Sequence, residues 1–171
     1  MSNEILALSL FVHLTATAIW IGGLLMTMIL VYPEVTRVLR DTPALYQFLS
    51  RLRRRFYPIS NLSLVALIAT GSFQMTANEF YNGLLTFDTT WSQVMLAKHI
   101  LIIVMAIIGL GLQYGVAPSL ERTSLLLEND KGQASTSLAY QALRQREVVL
   151  TWALGLMGLA ILALSAWLGA L

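Results

Sequence analysis

The stretch ILALSLFVHLTATAIWIGGLLMTMILVY, residues 5–32, is an apolar run in which His13 is the one basic side chain. A helix needs about 20 apolar residues to cross a hydrocarbon core roughly 30 Å thick, so this run is long enough to span a membrane. A histidine inside such a helix is costly and usually faces the bundle interior, where it pairs with another group or marks a functional site. The run therefore predicts a first transmembrane helix with a candidate site at His13.

Composition supports an integral membrane protein with a single domain over residues 1–171. Hydrophobic residues make up 57% of the chain and charged residues only 12%, far from the balance of a soluble domain. The absence of cysteine excludes disulfides, thiolate metal sites, iron–sulfur clusters and covalent haem attachment. The basic residues flank apolar runs and form no patch interleaved with aromatics, so no nucleic-acid partner is predicted.

Four apolar runs predict an all-α, up-down bundle of four transmembrane helices. The predicted spans cover about residues 5–32, 57–76, 91–116 and 147–170. Pro43 is a helix-start signal, so the second helix is expected to begin ahead of its span as an Arg-rich amphipathic segment. Pro118 is expected to end the third helix. The polar stretch 119–142 is predicted to be a surface loop.

The distribution of basic residues predicts the orientation. Two connections carry them: Arg37, Arg40, Arg51, Arg53, Arg54 and Arg55 in the first, and Arg122, Lys131, Arg144 and Arg146 in the third. The second connection, residues 76–90, has none. By the positive-inside rule the first and third connections are cytoplasmic, so both termini are expected outside (N-out/C-out).

The second histidine, His99, lies in the third apolar run, and its position matches that of His13. Each histidine stands eight residues into its span from the same side, which places both at a depth of about 12 Å. In a sequentially connected bundle the first and third helices occupy opposite corners, with axes about 11–14 Å apart. This diagonal is too long for direct contact between two imidazoles. It suits one flat cofactor held between them.

Small and aromatic residues follow each histidine at helical spacing. The first helix presents Ala16, Thr17, Trp20, Gly23 and Leu24, and the third presents Met95, Ile102, Ile103, Ala106, Gly109 and Leu110. Small residues let a macrocycle approach the backbone, although they also serve ordinary helix packing. Lys98 adjoins His99 and could meet a haem propionate or extend its amine to the surface. The predicted site has His13 and His99 as metal ligands, surrounded by Thr17, Trp20, Gly23, Met95, Lys98 and Ala106.

Three interpretations of the histidine pair follow from the residues. The first is a bis-histidine b-type haem, which leaves the iron no open position and favours electron transfer. The second is a copper site, because Met95 lies one turn before His99 and thioether plus imidazole suits Cu(I). Against a copper conduit, the methionines at 26, 28, 75, 105 and 157 are scattered along the sequence. The third is a pair of structural histidines, each bonded to a hydroxyl or carbonyl group.

Several short motifs resemble those of a known group. These are His13-x6-Trp20-x-Gly22-Gly23, Arg53-Arg54-Arg55-Phe56, Thr70-Gly71, and the run from Trp91 to Lys98-His99. Over roughly the first 115 residues they resemble the copper resistance D (CopD-like) membrane family and, more distantly, HemJ-type protoporphyrinogen oxidases. The first resemblance implies copper movement across a prokaryotic inner membrane, with His13 as the family's helix-1 histidine. The second implies a haem ligand at His13 and a functional lysine near Lys98.

The arginine that the HemJ pattern expects after the Trp-x-x-Gly motif is absent from residues 26–32. No acid–base pair or nucleophile constellation is visible either, so the sequence does not predict an enzyme. Its leading prediction is a haem b electron-transfer protein of the inner membrane, surrounded by lipid and working beside a larger redox complex or a periplasmic electron carrier. The alternatives are a CopD-like copper transport or handling protein and a structural membrane subunit without a cofactor.

Overall fold

A computed structural model of the chain describes residues 3–39, 43–78, 88–129 and 134–169. Within those ranges the regular secondary structure is entirely helical. By length and composition, four of the described helices can cross a membrane. The predicted all-α fold class with four spans is confirmed. Arg40 and Lys131, which entered the orientation argument, lie outside the described residues.

Two of the four helices contain wider, π-helical turns. Helix α1 consists of Asn3–Thr17, a π-helical turn Ala18–Gly22, Gly23–Met26, a second π-helical turn Thr27–Val31, and Tyr32–Val38. Helix α2 is Pro43–Thr76. Helix α3 consists of Thr90–Gly111, a π-helical turn Leu112–Val116, and Ala117–Asn129. Helix α4 is Ala134–Leu168.

The residues at the N-termini of α2 and α3 explain where these two helices begin. Helix α2 begins at Pro43, as predicted, and continues through Pro58 to its end. Helix α3 is capped by Thr89, whose hydroxyl accepts a hydrogen bond of 3.2 Å from the Ser92 backbone N–H. The Ser92 hydroxyl in turn accepts from the Thr89 backbone N–H. This reciprocal capping box satisfies two of the donors left open at a helix N-terminus.

The predicted end of α3 at Pro118 is wrong, and so is the predicted loop over 119–142 for residues 119–129 and 134–142, whereas residues 130–133 lie outside the described residues. Helix α3 runs through Pro118 to Asn129, and α4 already begins at Ala134. A proline ring inside a helix clashes with the carbonyl four residues earlier, and the π-helical turn Leu112–Val116 widens the backbone just there. The extension is held by the fully buried Leu120 and by an ion pair from Glu121 to Arg54, 2.7 Å long.

Neighbouring helices pack antiparallel. Between α1 and α2, Ser9 contacts Gln74 and His13 contacts Thr70, so residue numbers rise on one helix as they fall on the other. Between α1 and α4, a Cβ atom added at Gly158 would lie 3.2 Å from Cγ2 of Ile21, and one added at Gly155 would collide with Met28. Small residues therefore let α4 approach α1 closely, as in many membrane bundles.

The interior is small and the outer surface is apolar. Side chains of α1, α3 and α4 form a central cluster of buried residues: Ile21, Met105, Leu154 and Ile161. Large apolar side chains point outward, including Phe11, 67% exposed, and Leu62, 72% exposed. Such a surface suits lipid, because apolar side chains that face lipid do not need to be buried in a protein core. The end of the bundle that holds His13 and His99 is called the histidine end below, and the end that holds Arg53 and Glu147 the arginine end.

Candidate functional site

A hydrogen bond from His13 to α2 determines which nitrogen of its ring carries the proton. Its Nδ1 atom lies 2.8 Å from Oγ1 of Thr70, and its ring packs beside Gly71. The Thr70 hydroxyl donates its own proton to the Ala66 carbonyl at 2.6 Å. Because a hydroxyl has only one proton to donate, Thr70 accepts from His13, and Nδ1 of the imidazole carries the hydrogen. In the neutral ring, the lone pair of Nε2 is then available to a ligand.

His99 has the same arrangement with a different acceptor. Its Nδ1 atom lies 2.7 Å from the backbone carbonyl oxygen of Met95, one turn earlier on α3. A carbonyl only accepts, so Nδ1 is again the protonated nitrogen. Met95 thus contacts His99 through its backbone oxygen. The half-buried ring of His99 keeps Nε2 for another partner.

This pattern is found in histidines that bind metal, and it is equally that of structural histidines bonded to a hydroxyl or a carbonyl, the third interpretation drawn from the sequence. A metal-binding imidazole usually donates its second ring N–H to a carbonyl, carboxylate or other acceptor, which fixes the tautomer and the ring orientation. Both histidines have such an acceptor. The described residues contain no group of three or more His, Cys, Asp or Glu side chains that could hold a metal ion. Any metal at this end would therefore be bound by few protein ligands.

Two other predicted residues, Lys98 and Thr17, lie near His13 and interact with it in different ways. Lys98 is half-buried on α3 and near enough to His13 for their charges to interact. Thr17 donates its hydroxyl proton to the carbonyl of His13 at 2.8 Å. The Thr17 hydroxyl is thus engaged with the backbone of its own helix.

A cavity of about 140 Å³ lies deeper in the bundle than the histidines. Trp20 and Ala106, both predicted site residues, line it. Each stands seven residues after a histidine on its own helix, which is a rise of about 10 Å. The two stripes read from the sequence thus lead from the histidines to one cavity. Its wall also includes Leu24, Thr27, Phe56, Ser60, Asn61, Leu64, Met105, Gly109, Leu110 and Gln113.

The cavity extends to the arginine end, where charged and phenolic groups line it. The Arg53 guanidinium forms an ion pair with Glu147, a carboxylate only 7% exposed. The Tyr57 hydroxyl is buried and has no hydrogen-bond partner among the described residues. Tyr32, also in the wall, lies close enough to the Arg144 guanidinium for the two groups to interact. The cavity thus combines largely apolar walls with a polar floor.

The sequence matches the family model of copper resistance protein D over residues 50–168, more than two thirds of the chain. The chain belongs to the copper resistance protein D family. No curated protein and no solved structure matches it. The family match covers most of α2 and the whole of α3 and α4, including His99. It therefore differs from the predicted coverage of the first 115 residues, and His13 lies outside it.

Membership of the copper resistance protein D family does not support the predicted haem b or its electron-transfer role. The cavity is lined by neither histidine, and His13 packs directly against α2. The volume of the cavity, about 140 Å³, is also below the roughly 300–1,000 Å³ of sites for drug-sized ligands. Family membership agrees better with the copper alternative. The predicted likeness to HemJ-type oxidases has no support from the comparisons.

Gly23 is the last of the predicted site residues, and the structure adds others that the sequence did not reveal. Gly23 contacts the Phe56 ring and lies beside the cavity wall. Tyr57 and Glu147 were not predicted at all, and Thr70 appeared only within the Thr70-Gly71 motif, without a role. Glu147 had a signal, since it is an acidic residue at the start of the fourth apolar run. The roles of Thr70 and Tyr57 depend on contacts between helices, which residue spacing on one helix does not show.

Proposed function

We propose that this member of the copper resistance protein D family binds Cu(I) at the histidine end through Nε2 of His13 and His99 and moves it through the membrane. The observation that carries the proposal is the shared tautomer. Both Nδ1 atoms donate to an oxygen, at 2.8 Å and 2.7 Å, so both Nε2 lone pairs remain for a ligand. Family membership supports copper as the metal.

The ligand chemistry suits Cu(I) as cargo. Imidazole nitrogen and thioether sulfur are suitable ligands for it, and a chain without cysteine must rely on these two. Binding by few ligands is an advantage for a cargo, since a metal that is to be passed on must also dissociate. The acceptors Thr70 and Met95 would hold the rings in place while the metal binds and leaves.

The cellular setting belongs to the same proposal. We place the protein in the inner membrane of a prokaryote with both termini outside, so that the histidine end faces the periplasm. The arginine-rich connections would then lie on the cytoplasmic side. Lipid would surround the exposed apolar faces. The redox complex and the periplasmic electron carrier predicted from the sequence belong to the haem hypothesis and have no role here.

The test is a Cu(I) titration of protein purified in lipid nanodiscs under reducing conditions, against a chromogenic Cu(I) chelator. His13→Ala and His99→Ala should each weaken Cu(I) binding at this site by at least about tenfold, a loss typical of disturbed metal sites. Thr15→Ala, an exposed position near His13, is the control and should bind like the wild type. Unchanged affinity in both histidine variants would reject the proposal.

The same samples distinguish copper from haem. An absorbance spectrum before and after dithionite should lack the bands of a low-spin b-type haem. A wild-type preparation with those bands, abolished in His13→Ala, would restore the electron-transfer hypothesis.

A further inference from the structure

Buried methionines surround one face of α4, although they are far apart in the sequence. Met28 of α1 packs against Gly155, and the terminal methyl of Met105 of α3 would lie 3.6 Å from a Cβ atom at Gly158. The two glycines are three residues apart and thus adjacent on the helix surface. Met28 and Met105 are only 4% and 2% exposed. The structure thus brings onto one helix face thioethers that looked scattered in the sequence.

Met105 lies where the central buried cluster meets the cavity. It belongs to the central buried cluster, against which Met157 of α4 also packs, and it lines the cavity as well. It lies six residues after His99 on α3, which is about 9 Å deeper in the bundle. A thioether sulfur is therefore available between the level of the histidines and the polar floor of the cavity.

We propose that Met105 and Met157 form a second Cu(I) site in the middle of the bundle, through which copper passes from the histidine end into the cavity. This inference rests on the proposed function, since it assumes the same cargo. Thioether sulfur is a soft ligand that selects Cu(I) over harder cations. The neighbouring side chains include the apolar Trp20, Leu24 and Leu154, so the sulfur atoms are the soft ligands at this depth.

The cavity would then be the compartment that receives the ion. Its far end is lined by the ion pair of Arg53 with Glu147, and its floor carries the Tyr57 hydroxyl, which lacks a partner among the described residues. Such a hydroxyl is costly to bury unless water or a ligand satisfies it. The order of sites along the bundle is therefore histidines, methionines, and a polar chamber.

The experiment uses Met105→Leu in the full-length protein. Leucine conserves the volume and apolar character of methionine and is among the best-tolerated core substitutions, but it removes the sulfur. Met26→Leu is the matched control, because Met26 is 59% exposed on the outer surface of α1. Two quantities are measured: the number of Cu(I) ions bound, with X-ray absorption at the copper edge to detect Cu–S contacts, and Cu(I) flux into proteoliposomes.

Wild type and Met26→Leu should bind two Cu(I) ions, show Cu–S contacts and transport the metal. Met105→Leu should lose one ion and the Cu–S signal, keep the ion at the histidines, and lose the flux. A Met105→Leu variant with wild-type stoichiometry, Cu–S signal and flux overturns this inference and leaves the histidine site intact. If instead the histidine variants keep both ions, the proposed function fails, while loss of the Cu–S signal in Met105→Leu still supports the methionine site.

Discussion

His13 of α1 and Thr70 of α2 are joined by a hydrogen bond of 2.8 Å from Nδ1 to Oγ1, and this one contact has two effects. It fixes the axial register of α1 against α2, together with the contact of Ser9 and Gln74 one turn away. It also determines which imidazole nitrogen is protonated, because Thr70 donates its own proton to Ala66. Helix packing and the imidazole tautomer thus depend on the same threonine.

Replacing Thr70 with valine tests this double role. Valine keeps the shape of threonine but cannot accept from His13, so the imidazole loses the group that fixes its tautomer and orientation. Cu(I) affinity at the histidine end should fall by about ten- to a hundredfold, as for other lost partners of metal-binding histidines. Thr76→Val is the control, since its exposed hydroxyl bonds only the Phe73 carbonyl of the same helix. Equal affinities in the two variants would show that Thr70 does not position His13.

The adjacent glycines Gly22 and Gly23 offer a matched test of packing between α1 and α2. A Cβ atom at Gly23 would lie 2.9 Å from Cζ of Phe56, whereas one at Gly22 would have no atom within 4 Å. Gly23→Ala should therefore lower the free energy of unfolding by about 1–3 kcal/mol, as overpacked cores do. Gly22→Ala should leave it unchanged or raise it slightly. Thermal unfolding in detergent measures both, and a Gly23→Ala variant as stable as Gly22→Ala would exclude a close contact with Phe56.

The ion pair of Arg53 and Glu147 should contribute far more to stability than the surface pairs. Glu147→Gln retains the side-chain shape but removes the negative charge that Arg53 binds in a buried setting. Breaking such a pair costs about 3–5 kcal/mol, which should appear as a large drop in the free energy of unfolding. Glu34→Gln, at the exposed pair with Arg37, should cost less than about 1 kcal/mol. Similar losses in the two variants would mean that the Glu147 pair is solvated like a surface pair.

The architecture was accessible from the sequence because the bilayer imposes a simple rule on chain composition. Runs of apolar residues long enough to cross it must be helical, so four runs predicted the four helices, and Pro43 marked the start of α2. The seven-residue spacing from His13 to Trp20 and from His99 to Ala106 also pointed to two residues that line the cavity.

Other features depend on how the helices meet. Pro118 is read as a helix end from its own chemistry, yet the widened turn before it and the burial of Leu120 let α3 continue. The partner of His13 was unpredictable for a similar reason, since several hydroxyls of α2 were available and only the register of the packed helices selects Thr70. The cavity and the grouping of Met28 and Met105 likewise require the fold.

The contact of Arg53 with Glu147 also constrains how the protein assembles in the bilayer. It joins α2 to α4, which belong to different hairpins: α1 with α2, and α3 with α4. The carboxylate and the guanidinium can meet only once both hairpins have been inserted and have docked side by side. This ion pair therefore forms late in assembly, and each hairpin on its own carries a charge that has no partner until the other hairpin docks.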